Sequence, residues 1–73
     1  MPVTSKYSDK QVEAILNDMI NVLEKHHAPA DLSLMVVGDL ATNIINNNVA
    51  KGQREAIAAK FAAALSYSVK EQQ

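Results

Sequence analysis

An all-α fold is what this sequence predicts, with three main helices per chain at about residues 8–27, 31–47 and 51–70. Two observations point there. Apolar residues recur at helical spacing in three stretches, and the stretches are separated by breakers at Ala28-Pro29 and Asn46-Asn47-Asn48. The chain has 73 residues, 48% of them apolar, which allows one domain over residues 1–73 and excludes compositional disorder. Only Tyr7, Phe61 and Tyr67 are aromatic, and there is no cysteine. So short a chain usually needs a staple, a metal or a partner, because one small core supplies roughly 3–5 kcal/mol. A second copy of the chain is the expected partner.

The first helix is announced by Ser8 as N-cap with Gln11 three residues on, a capping-box spacing, and by Tyr7 and Val12 at staple positions. Val12, Ile15, Leu16, Met19, Ile20, Val22 and Leu23 then cover an arc of about 160° on the helical wheel. Pro29 biases Ala28 away from helical geometry, so the helix should end near His26-His27.

The second helix opens with Asp31, either as its N-cap or as a first-turn carboxylate favoured by the helix dipole. Its polar residues Asp39, Thr42, Asn43 and Asn46 fill a strip of only about 100°. Leu34, Val36, Val37, Leu40, Ile44 and Ile45 occupy most of the remainder, more apolar surface than a helix in a three-helix monomer needs. A central core helix is the plain explanation; burial against a second copy accounts for the width better. Gly38 supports that reading, since a mid-helix glycine costs about 1 kcal/mol relative to alanine and calls for a packing reason. The expected dimer contact is therefore Leu34, Val37, Gly38, Ala41 and Ile45.

Asn46-Asn47-Asn48 reads as a helix stop. The third helix follows from about Lys51, with Ile57, Ala58, Phe61, Ala64, Leu65 and Val69 as its stripe and Ala56, Ala59 and Ala63 opposite. Residues 1–6 and 71–73 are expected to be flexible.

Little in the chain points to chemistry. His26 and His27, with Glu24 and Asp31 nearby, are the only metal-ligand cluster, but adjacent histidines diverge by about 100° on a helix and no second inward glutamate completes a di-metal set. No metal or other cofactor is expected. Ser33, Ser66 and Ser68 have no base at a matching spacing, and Gly38 and Gly52 are too isolated for a phosphate loop. The chain is not expected to be an enzyme, though a site at the subunit interface is the weaker alternative. Asp39 and Arg54 are expected to form a structural ion pair, with Arg54 partly buried.

Partners are constrained by charge. Seven basic and eight acidic residues give −1 per chain, divided as −3 over residues 1–49 and +2 over residues 50–73. Lys51, Arg54, Lys60 and Lys70 point in different directions on the last helix, so a nucleic-acid-binding dimer is only the alternative. There is no secretory h-region and no apolar run near the 20 or so residues of a membrane span. A cytoplasmic, non-catalytic protein-interaction or adaptor module, paired with itself and with an unidentified protein, is the reading these features favour.

The stretches "YSDKQVEAIL" (7–16), "VLEKHHAPADLSLMVVGDLATNIIN" (22–46) and "QREAIAAKFAAAL" (53–65) resemble the YejL-like family of small uncharacterised bacterial proteins. That resemblance implies an intertwined all-helical homodimer and carries over no catalytic residues. Members of that family often open the last helix with proline; Lys51 stands there instead, which leaves the start of this helix less sharply fixed.

Overall fold

The computed structural model describes residues 6–71 as helices α1 (Asp9–Lys25), α2 (Ala30–Asn48) and α3 (Arg54–Glu71), the last entered through a 3-10 turn, Lys51–Gln53. No strand occurs among the described residues. The expected flexibility of residues 1–5, 72 and 73 lies outside the described residues, while Glu71 is the last residue of α3. The chain divides into two compact units, with the boundary inside α2 after Leu34.

In the first unit, the Ser8 side chain accepts a hydrogen bond from the Gln11 amide at 3.1 Å and so caps α1. The other end of α1 closes in a Schellman arrangement. The Ala28 amide donates to the Leu23 carbonyl (3.0 Å) and the His27 amide to the Glu24 carbonyl (3.0 Å), with His27 in the left-handed region at φ 54°. Leu23 and Ala28, the positions that such a motif brings together, are both half-buried. Pro29 then starts α2, its carbonyl accepting from the Ser33 amide at 2.9 Å. Of the two roles open to Asp31 it takes the first-turn one, where Oδ1 accepts from the Leu32 amide at 2.9 Å.

In the second unit, α2 runs through the three asparagines that were expected to stop it. Asn48 Nδ2 donates to the Ile44 carbonyl (2.8 Å), so its amide satisfies the helix end from within. The chain leaves the helix only at Val49-Ala50. The third helix accordingly begins later than Lys51. With Gly52 in the first turn and no side-chain cap, that turn winds as 3-10, closed by the Gln53 amide on the Ala50 carbonyl at 2.8 Å.

Among the described residues of either unit none is buried. Large apolar side chains on all three helices remain more than a third exposed, from Leu40 at 37% to Leu34 at 72%. These side chains lie at the helical spacing that the sequence predicts.

Candidate functional site

The expected contact residues lie along α2, and they differ in how far their own chain covers them. Ala41 and Ile45 are half-buried, as is Val49 beyond them. Leu34 is the most exposed large apolar side chain described, and Val37 is 41% exposed. A side-chain carbon added at Gly38 would meet nothing within 4 Å. The glycine is therefore not required by any neighbour within this chain, and its cost to the helix, about 1 kcal/mol, is not offset there. Thr42, one turn on, donates its hydroxyl back to the Gly38 carbonyl at 3.0 Å.

Arg54 joins the end of α2 to the start of α3. Its Nε donates to the Val49 carbonyl (2.9 Å) and Nη2 to the Asn46 carbonyl (3.0 Å). Those carbonyls belong to the end of α2 and the residue after it, so the guanidinium supplies donors that the helix end lacks. It is half-buried, and no ion pair joins it to Asp39 among the described residues. The spacing of Arg54 on its own helix did not reveal this role, because the acceptors lie five and eight residues upstream across a turn.

Beside Arg54 an open groove of about 250 Å³ lies between α2 and α3, lined by Thr42, Ile45, Asn46, Arg54, Glu55 and Ala58. Ile45 and Ala58 are apolar lining residues, and Asn46 and Glu55 add an amide and a carboxylate to the lining. Nothing in the sequence spacing signalled this groove, since it exists only once the turn at residues 49–53 sets α3 beside the end of α2.

Of the serines weighed for catalysis, Ser33 donates its hydroxyl to the Ala28 carbonyl at 3.3 Å, a helix-entry contact. No three His, Asp or Glu side chains among the described residues are grouped to hold a metal ion. Among the described residues no helix is long and apolar enough to cross a membrane. What the geometry does provide is exposed apolar surface on a helical frame.

The comparisons agree with the frame and leave the role open. A family model described as "Protein of unknown function (DUF1414)" matches residues 26–69. A solution NMR structure of HI0947 from Haemophilus influenzae is 50% identical, with a TM-score of 0.77 over 99% of this chain and 90% of that one.

Proposed function

Because this chain belongs to the DUF1414 family of proteins of unknown function, we propose its role from the physics of its surface: a non-catalytic helical homodimer that presents a helical face to another protein. The observation that carries this reading is that no described residue is buried: large apolar side chains on α1, α2 and α3 stay exposed, from Leu40 at 37% to Leu34 at 72%. A second copy brings matching apolar surface that can cover them across an interface.

Leu34, Val37, Gly38, Ala41 and Ile45 are the proposed centre of that interface. The block Ala28–Val36, "APADLSLMV", supports the narrower YejL-like assignment and with it a bacterial protein. A cytoplasmic setting belongs to the same proposal, on the cysteine-free and near-neutral composition.

Sedimentation over nanomolar to tens of micromolar concentrations tests the homodimer. The expected species is a dimer; a compact, cooperatively melting single chain at nanomolar concentration overturns it. Affinity capture of the tagged protein from its native cells tests the adaptor role. A specific protein companion is expected, and recovery of nucleic acid or of the chain alone refutes that part.

A further inference from the structure

We draw no further inference here: the strongest candidate, the open groove beside Arg54 between the end of α2 and the start of α3, carries nothing because nothing in the structure shows what fills it or what covers the apolar face of α2.

Discussion

His27 is the one non-glycine residue described with positive φ, at 54°, and it holds that conformation because two hydrogen bonds close the end of α1 around it. A left-handed backbone costs a residue with a Cβ about 1–2 kcal/mol. His27→Gly removes that penalty, in part offset by the freedom glycine adds to the unfolded chain. The expected outcome is a gain of about 0.5–1 kcal/mol in denaturant unfolding at matched protein concentration. His27→Val should lose more than that, since β-branching makes the same conformation harder to reach. Arg54 is the other residue whose contribution is specific. Arg54→Met removes two donors from the Asn46 and Val49 carbonyls and should cost about 1–2 kcal/mol. Arg54→Lys should recover only part of it, because an ammonium lacks the fork that reaches both oxygens. A variant Arg54→Met with unchanged melting temperature and dimer affinity would show that these bonds carry no net stability.

The helices show which signals a sequence can carry. Ser8 was legible because its own side chain caps α1, three residues from the amide it accepts. The end of α1 was legible as a break through Pro29, but the left-handed His27 was not, since that conformation follows from backbone bonds and any residue could occupy it at a cost. Three asparagines suggested a stop after α2; in the fold Asn48 instead satisfies a carbonyl of its own helix, which only the geometry of the following turn decides. The five residues expected at the subunit contact do share α2, but the groove beside Ile45 depends on where α3 lands, and no local spacing encodes that. Gly38 offers a prediction at this scale. An added methyl group meets nothing within the chain, so Gly38→Ala should raise stability by about 1 kcal/mol if α2 is solvated there. At a close helix crossing the same methyl group is overpacked, and the sign reverses. With Gly38 at the centre of the proposed dimer contact, thermal unfolding of Gly38→Ala at micromolar concentration should show a loss, and Gly38→Leu a larger one; a gain for alanine places the contact elsewhere.

Taken as a whole, the molecule has its secondary structure satisfied by local bonds and its apolar side chains unsatisfied by packing. Ser8 caps α1, a Schellman turn closes it and Arg54 bonds the end of α2, yet most of the stability of a protein helix comes from packing its apolar face. In the proposed homodimer the exposed apolar faces are covered by association, and folding and dimerisation become one equilibrium. Such an equilibrium has a measurable consequence, because two unfolded chains form from each native dimer and dilution favours them. With typical enthalpies for the residues of two copies, each tenfold dilution should lower the melting temperature by about 5 °C. Calorimetry or circular dichroism from about 1 to 100 μM protein checks this, and the helical signal should disappear in the same transition that dissociates the dimer. A melting temperature independent of concentration would mean that each chain completes its own core, and the apolar faces of α1, α2 and α3 would then have to meet within it.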